Sequence, residues 1–419
     1  MTILLLILGM FPITSWSSNE ISSPEAIAKQ LIPVYEQLHQ HPELSYKEEK
    51  TAALLASELK SSGFDVTTQF GGFGVVAILR NGKGPTILLR TDLDALPITE
   101  ATKLPFASVE PGVMHACGHD LHVTNLIGVA RYLKTTISQW KGTLILIGQP
   151  AEEKGGGASA MLKAGLFKKF PKPDYALALH VDSSQAVGTI TLLSGPTTAN
   201  VDSLDIVMKG RGGHGARPQD TIDPIPMTSE LVLSLQTLIS REKDPSIPAV
   251  ITVGSFHSGT KHNIIPETAT IQLTVRTFTP EARKKTLEGI KRKANAIALA
   301  YQAPEPEIRM SEEGVPSVIN DVRVVEKLRP IFHKIVGAAN VIGGTPWTVG
   351  EDFSRYGAEG VPSVMFSIGT ISEKRLKDYQ KKGLIPSIHS STYYPSAQES
   401  LEVGIKAMGQ ATLELFNSK

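Results

Sequence analysis

The segment His115-Ala116-Cys117-Gly118-His119-Asp120-Leu121-His122 packs one thiol, three imidazoles and a carboxylate into eight positions. Thiolate and imidazole are preferred donors for zinc and neighbouring divalent metals. The glycine between Cys117 and His119 lets the backbone bring both side chains to one point. A lone cysteine is more often a small core residue, yet apolar packing gives no reason for Cys-Gly-His. Asp120 could orient an imidazole by accepting its second N–H.

Two further segments add donors. Gln149-Pro150-Ala151-Glu152-Glu153 carries paired carboxylates, and Leu179-His180-Val181-Asp182 carries another imidazole. One glutamate can bind metal while the other, kept off it, takes a proton from a coordinated water. A charged surface loop is the alternative, which Lys154 and the glycines after it would allow. The apolar run directly before Gln149 argues against it.

These residues need elements to hold them. Short apolar runs at Val75–Leu79, Thr86–Leu89, Thr143–Ile147 and Tyr175–Leu179 lack alternation, which suits strands buried on both faces. Helical spacing lies between them at Leu121–Tyr132 and Ala158–Leu166, so the fold class is α/β. Ser23-Pro24-Glu25 reads as a helix start whose helix Pro33 must bend, and a second helix is expected over Tyr46–Ser62, stopped by Gly63. Three of the strands end in polar residues: Asp92 and Asp94, then Glu152 and Glu153, then His180. Ligands gather at the carboxyl edge of open α/β sheets, so this is a site-building pattern. Gly71-Gly72-Phe73-Gly74 reads as a turn before a strand rather than a phosphate loop.

The middle of the chain differs. Ser203–Met208, a helix around Pro226–Ser240, strands at Ala249–Gly254 and Ala269–Thr277, a helix over Pro280–Tyr301 and a strand at Glu307–Met310 form a split βαβ unit. The buried-strand pattern resumes at Ser363–Ile368, so the unit is expected to be an insertion. The 419 residues suit two or three domains. A formal net charge of +1 argues against nucleic acid as a partner. A 41% hydrophobic content excludes a disordered chain, and one cysteine excludes an intrachain disulfide. The uncharged run Ile3–Trp16 is too short to span a membrane and reads as a signal peptide over residues 1–17, giving a secreted or periplasmic chain. It lacks a basic start, so a buried strand or weak anchor is the other reading, with the chain then cytoplasmic if uncleaved.

Six ordered motifs give the chain a close resemblance to a known group. They are Arg90–Ile98, Met114–Asp120, Gln149–Glu153, Gly213–Pro218, Asn263–Pro266 and Gly350–Phe353, and the likeness begins at Leu38–Ser45. With them the sequence resembles the aminoacylase-like amidohydrolases of the dinuclear metallopeptidase superfamily. That group includes hippurate hydrolases, indole-acetyl-amino-acid hydrolases and N-acyl-amino-acid deacylases.

The resemblance implies a catalytic domain over residues 18–195 and 312–419 with a mixed, mostly parallel sheet. It implies an inserted ferredoxin-like lid and dimerisation domain over 196–311. Cys117, His119, Glu153, His180 and His389 would hold two divalent metal ions, manganese or zinc, with cobalt or nickel as further options. Glu152 would be the general base and His214 the oxyanion stabiliser, reaching a neighbouring subunit's site in a homodimer. Asn263 and Arg276 would contact substrate, while Asp92, Asp94 and Asp120 would support the ligands. The implied activity is hydrolysis of the amide bond of small N-acyl amino acids by a metal-bound hydroxide. A dipeptidase or carboxypeptidase, or a non-catalytic metal-dependent binding protein, are the competing readings. Thr91, Leu93, Leu121 and Val349 depart from the group's usual residues, and Leu121 and Val349 bear on pocket shape rather than chemistry.

Overall fold

A computed structural model describes residues 23–310 and 313–418, so the apolar N-terminal run lies outside the described residues. Helix α1 (Pro24–Gln40) starts where Ser23 Oγ accepts the Ala26 N–H at 3.2 Å, and it continues through Pro33. Helix α2 (Glu49–Ser61) begins later than its spacing suggests, because Tyr46 has a left-handed φ of 66°. A short β1 (Asp65–Thr67), then β2 (Val75–Asn81) and β3 (Thr86–Asp92), precede the long helix α3 (His119–Thr135). Strand β4 (Gly142–Gln149) leads to α4 (Gly157–Lys163) and α5 (Leu166–Lys169). The spacing predicts one helix there; Gly165, at φ 90°, divides it. Strands β5 (Tyr175–Ala186) and β6 (Ile190–Thr191) complete the first half.

The chain leaves through β7 (Gly195–Pro196) and builds a second unit. It comprises β8 (Asn200–Lys209), β9 (Gly213–His214), α6 (Pro224–Thr237), β10 (Ala249–Ser258), β11 (Ile264–Ile265), β12 (Thr268–Thr277), α7 (Pro280–Ala300) and β13 (Glu307–Met310). Its antiparallel sheet has the order β10-β12-β8-β13. Strand β8 alternates buried and half-buried along its whole length, the pattern of a sheet with one face on a core. Leu204, Ile206 and Met208 meet Leu231 and Leu235 of α6 and Ile290 of α7 there. Strand β14 (Ile319–Asn320) then pairs antiparallel with β7, closing the passage back.

After α8 (Val322–Val336) come β15 (Val341–Ile342), α9 (Ser354–Ala358), β16 (Ser363–Ile371), α10 (Glu373–Lys382) and α11 (Ala397–Asn417). The main sheet is mixed, ordered β1-β2-β4-β3-β5-β16-β6-β15, with the central strands β4, β3, β5 and β16 parallel to one another and β2 and β6 antiparallel beside them. Ile87, Leu89, Leu144 and Leu146 join one core, which also holds residues of α1, α3, α8 and α11. Leu88, Ile145 and Ile147 join the core on the other face with Met161 of α4 and Tyr356 of α9. Burial on both faces explains the continuous apolar runs, each such side chain contributing about 1.5–3 kcal/mol. Register pairs Asp92 with Gln149 and Arg90 with Ala178. The carboxyl ends of β3 and β4 are therefore level with His180 of the longer β5, and the polar residues there share one edge. Among the described residues no helix is long and apolar enough to cross a membrane.

Candidate metal centre and active site

Five side chains distant in sequence converge at that edge. Donor atoms of Cys117, His119 and His180 lie within 4.8 Å of one another, as do those of Cys117, Glu153 and His389. Cys117 is common to both groups, and Sγ stands 3.6 Å from His180 Nε2. His119 and Glu153 share a further group with Glu152.

The backbone is built to make this happen. Gly118 has φ 80° and caps α3, so Cys117 and His119 flank a left-handed turn at the helix start. A side chain on Gly118 would also run into Val181, with its Cβ only 2.8 Å from Cγ2. The positive end of α3 faces Cys117 and favours its thiolate. His119 Nδ1 donates to the Asp94 carbonyl at 2.8 Å, and His180 Nδ1 donates to the Val181 carbonyl at 2.8 Å. Each ring is thereby oriented with Nε2 left to face the site, the nitrogen a ligating histidine presents once it is deprotonated. His122 is different. Its Nε2 accepts the Val181 N–H at 3.0 Å and its Nδ1 donates to Asp92 at 2.7 Å, so both nitrogens are used. It supports the ligands by holding β5 to α3.

The paired glutamates sit on a turn held by other carboxylates. Asp94 accepts the backbone N–H of Glu152 at 3.1 Å and of Glu153 at 3.0 Å, while Ser45 Oγ donates to it at 2.6 Å. Glu48, fully buried, accepts the N–H of Ala151 at 2.8 Å. Ala151 is itself left-handed, at φ 51°. His389 is a second strained residue, at φ 66°, and its N–H donates to the Ala116 carbonyl at 2.8 Å. Such strain persists only where surrounding contacts over-determine it, typically at functional sites.

Charge in the site is arranged around the thiol. Burial pushes the Cys117 thiol up, but His119 and His180 outweigh it and bring its pKa to about 6. Burial pulls His180 down, yet Cys117 raises it to about 9. The neighbouring Cys117 and Glu153 raise His389 to about 10. Glu152 lies well above the ordinary carboxylate range, through desolvation and then the nearby Glu351, Glu153 and Asp352. Behind it, buried Arg90 donates to Asp92 at 2.6 Å, Glu351 at 2.9 Å, Asp352 at 3.2 Å and Gln149 at 3.2 Å. This cation answers three carboxylates of the wall.

The remaining predicted residues divide. Arg276 reaches the site's border, donating from Nη1 to the Thr348 carbonyl at 2.8 Å. His214 and Asn263 do not line the cavity beside the metal donors; they sit together on the β9–β11 ribbon, where Gly215 N–H donates to the Asn263 carbonyl. Asp120 does orient an imidazole, but that of His39, at 2.7 Å, and not that of a candidate ligand. The Asp94 carbonyl accepts from His119 and the Asp92 carboxylate from His122, so both stand beside the candidate ligands. Glu48, Arg90, Glu351 and Trp347 escape sequence reasoning as site residues; the first looks like an ordinary acid at a helix start.

The donor set fits divalent metal. His119 Nε2 and Glu153 Oε1 are buried without a hydrogen bond, and Glu153 Oε1 lies 3.4 Å from His389 Nε2 and 4.0 Å from His119 Nε2. Buried polar atoms without partners are rare, and these two lie close together in groups that each include the Cys117 thiol. Cys117, Glu153 and Asp92 place negative groups beside the imidazoles of His119, His180 and His389, so the pocket favours positive charge. Paired glutamates, a thiolate and imidazoles at the carboxyl edge of an α/β sheet define a metal-dependent hydrolase.

The chain belongs to peptidase family M20/M25/M40, whose pattern matches residues 88–412. It is 37% identical over 391 residues to thermostable carboxypeptidase 1 of Saccharolobus solfataricus, covering 92% of this chain and 95% of the relative. It is 40% identical over 320 residues to hippurate hydrolase of Campylobacter jejuni, covering 76% and 82%. It is 38% identical over 356 residues to an N-acetyl-L-cysteine deacetylase of Bacillus subtilis, covering 84% of each. Among solved structures, the Bacillus subtilis YXEP protein, described as a dinuclear metal binding peptidase of the M20 family, superposes with a TM-score of 0.79. That match is 31% identical and covers 94% of this chain and 99% of the other.

Proposed function

We propose that the chain hydrolyses the amide bond of N-acyl amino acids with two divalent metal ions. The observation that carries this is the convergence of Cys117, His119, Glu153, His180 and His389 beside Glu152. Relatives named hippurate hydrolase and N-acetyl-L-cysteine deacetylase support the substrate class. When bound, the ions would polarise the scissile carbonyl and acidify water at neutral pH. Glu152 takes the proton and returns it to the leaving nitrogen, a task suited by its raised pKa. Asp94 and Glu48 keep its turn in place. Manganese or zinc is the metal we favour, with cobalt or nickel as alternatives, on the mixed thiolate, imidazole and carboxylate set.

The insert at 196–311 serves as lid and dimer contact. Strand β10 is an edge of its sheet, with Val250 45% and Phe256 38% exposed, which supports pairing with a second copy. His214 would then act as oxyanion stabiliser in the partner's site, and Asn263 and Arg276 would contact substrate. Export is supported by the apolar run near the start of the sequence.

The carboxypeptidase relative sustains a second reading, hydrolysis of peptides. A panel of acetyl, benzoyl, indole-acetyl and aminoacyl substrates, each with manganese, zinc, cobalt and nickel, separates the two. Turnover of N-acyl amino acids well above dipeptides is expected; the reverse order would overturn the leading reading.

A further inference from the structure

A groove of about 560 Å³ lies between the insert and the catalytic domain. Residues of β8, α7 and β13 line it from the insert, and Pro316 and Ala358 line it from the catalytic domain. It shares no lining residue with the cavity of about 200 Å³ beside the metal donors. Its base is where the chain passes out and back. Asn200 Nδ2 donates to the Thr277 carbonyl at 3.0 Å, Asn200 Oδ1 accepts the Ser317 N–H at 2.9 Å, and Ser317 Oγ donates to the Thr198 carbonyl at 2.6 Å. A groove lined by both domains changes shape with the angle between them. Strand β13 is the opposite sheet edge from β10, so the groove is clear of the proposed dimer contact.

Charge and apolar surface together state what fits. Three titratable residues are among the described lining, Arg283, Lys284 and Lys291, and all are cationic. Arg283 is already answered: Nε donates to Asp202 Oδ2 at 2.9 Å and Nη2 to Oδ1 at 2.7 Å. Lys284 and Lys291 are exposed, and among the described residues neither makes an ion pair or hydrogen bond, although Glu288 is one turn from each on α7. They stand two turns apart, about 10 Å along the helix, with Leu287 on the same stripe between them. Leu204, Leu287 and Met310 supply the apolar surface, and Met310 is 45% exposed. Two unanswered ammonium groups around an apolar strip suit an anion with an apolar body. The planar fork that matches phosphate is engaged by Asp202, which leaves the lysine point charges for a carboxylate. Hydrolysis of an acyl amino acid releases an acid of that description.

Occupation of the groove bears on turnover through the insert. Neither His214 nor Asn263 lines the cavity beside the metal donors, so the insert moves before Asn263 contacts a substrate held there. A ligand that fits the groove as it stands binds this arrangement better than the moved one, and shifts the population toward it. We propose that the groove binds an apolar carboxylate, the class of acid the reaction releases, and that its occupation holds the insert back and slows turnover. The binding stands on the groove alone; the slowing rests on the acyl-amino-acid reading above.

The test titrates the metal-loaded enzyme with decanoate, hexanoate, decanol and inorganic phosphate by calorimetry. Decanoate titration is repeated on the double variant Lys284→Glu with Lys291→Glu. Decanoate should bind at least about tenfold tighter than hexanoate, and the double variant should weaken it about tenfold. Turnover without decanoate should be the same in both chains, which also shows that the variant is folded. Decanol or phosphate binding as tightly as decanoate, or equal decanoate binding by the two chains, overturns the site. In steady-state kinetics decanoate should lower kcat of the natural chain with KM nearly constant, and should do so less in the double variant. A rise in KM alone, equal in both chains, would place the acid at the metal donors and overturn the regulatory role. Binding at the groove with kcat unchanged overturns that role too. Turnover of dipeptides with none of N-acyl amino acids sinks the proposed function, while lysine-dependent decanoate binding would still uphold the groove.

Discussion

The Glu48 carboxylate accepts the backbone N–H of Ala151 at 2.8 Å, directly beside the two N–H groups that Asp94 takes from Glu152 and Glu153. Three consecutive amides of one turn are thus held by two acids from other parts of the chain. Ala151 is left-handed, so the turn has a standing tendency to relax. Glu48→Ala should let Glu152 drift, lowering kcat up to about 10²-fold while KM stays nearly constant. Glu48→Gln keeps an acceptor oxygen for Ala151 and should recover most of the rate. Steady-state kinetics with metal analysis of both variants checks this; equal loss in the two would assign the effect to charge instead.

Glu152→Gln keeps the shape of the side chain and removes its basicity. Turnover should fall about 10²–10⁴-fold, with two equivalents of metal still bound. Retained turnover would move the base elsewhere, and lost metal would make Glu152 a ligand.

Metal loading should release protons, and chiefly from imidazole. Cys117 has a pKa of about 6, so at pH 7.5 it is already mostly thiolate. His180 and His389, at about 9 and about 10, are cationic there and must deprotonate to coordinate. Calorimetry of the chelator-stripped chain in buffers of different ionisation enthalpy measures the number released. Release should fall as pH rises from 7 toward 10; a thiol source would instead give most of its release below pH 6.

The sheet and the strand-end donors were legible because strands buried on both faces read as unbroken apolar runs. Asp92, Glu152, Glu153 and His180 stand where those runs stop. Cys117 and His119 were legible from chemistry alone. The other residues depend on contacts that spacing does not encode. Nothing in the sequence distinguishes His122 from His119 until the Val181 N–H is seen to occupy Nε2. His389 lies in an irregular segment with a left-handed backbone, and only resemblance pointed to it. Glu48 looks like a helix-start acid, and Asp120 was expected to serve a ligand because the partner that takes it, His39, is 81 residues away.

Arg90 tests how far the wall depends on one buried cation. Its guanidinium meets Asp92, Glu351 and Asp352 and is itself almost wholly buried. Arg90→Met leaves these carboxylates without their cation, a change that typically destabilises by about 3–5 kcal/mol. Arg90→Lys keeps charge but not the planar fork, and should be intermediate. Denaturant unfolding of the three chains gives the order directly, and a stable Arg90→Met would refute the dependence.

His39 gives the fold a specific pH response. It lies buried between Asp120, 2.7 Å from Nδ1, and Glu100, 3.2 Å from Nε2, joining the end of α1 to the start of α3. Burial pulls its pKa down, but the hydrogen bonds to Asp120 and Glu100 prevail and raise it to about 9. A folded-state value above the ordinary 6.5 means the cation's contribution is complete below about pH 6.5 and lost as pH climbs through about 9. Asp120 and Glu100 are lowered despite burial, by their hydrogen bonds to His39, so their contribution is present above the ordinary carboxylate range and lost on acidification. The cluster therefore stabilises most between about pH 5 and 6.5. His39→Gln should cost on the order of 3 kcal/mol in that window, with the deficit shrinking steadily toward pH 9.5. Melting curves of both chains from pH 5 to 9.5 measure it; a deficit that stays constant with pH would mean that His39 acts by packing, as a neutral ring.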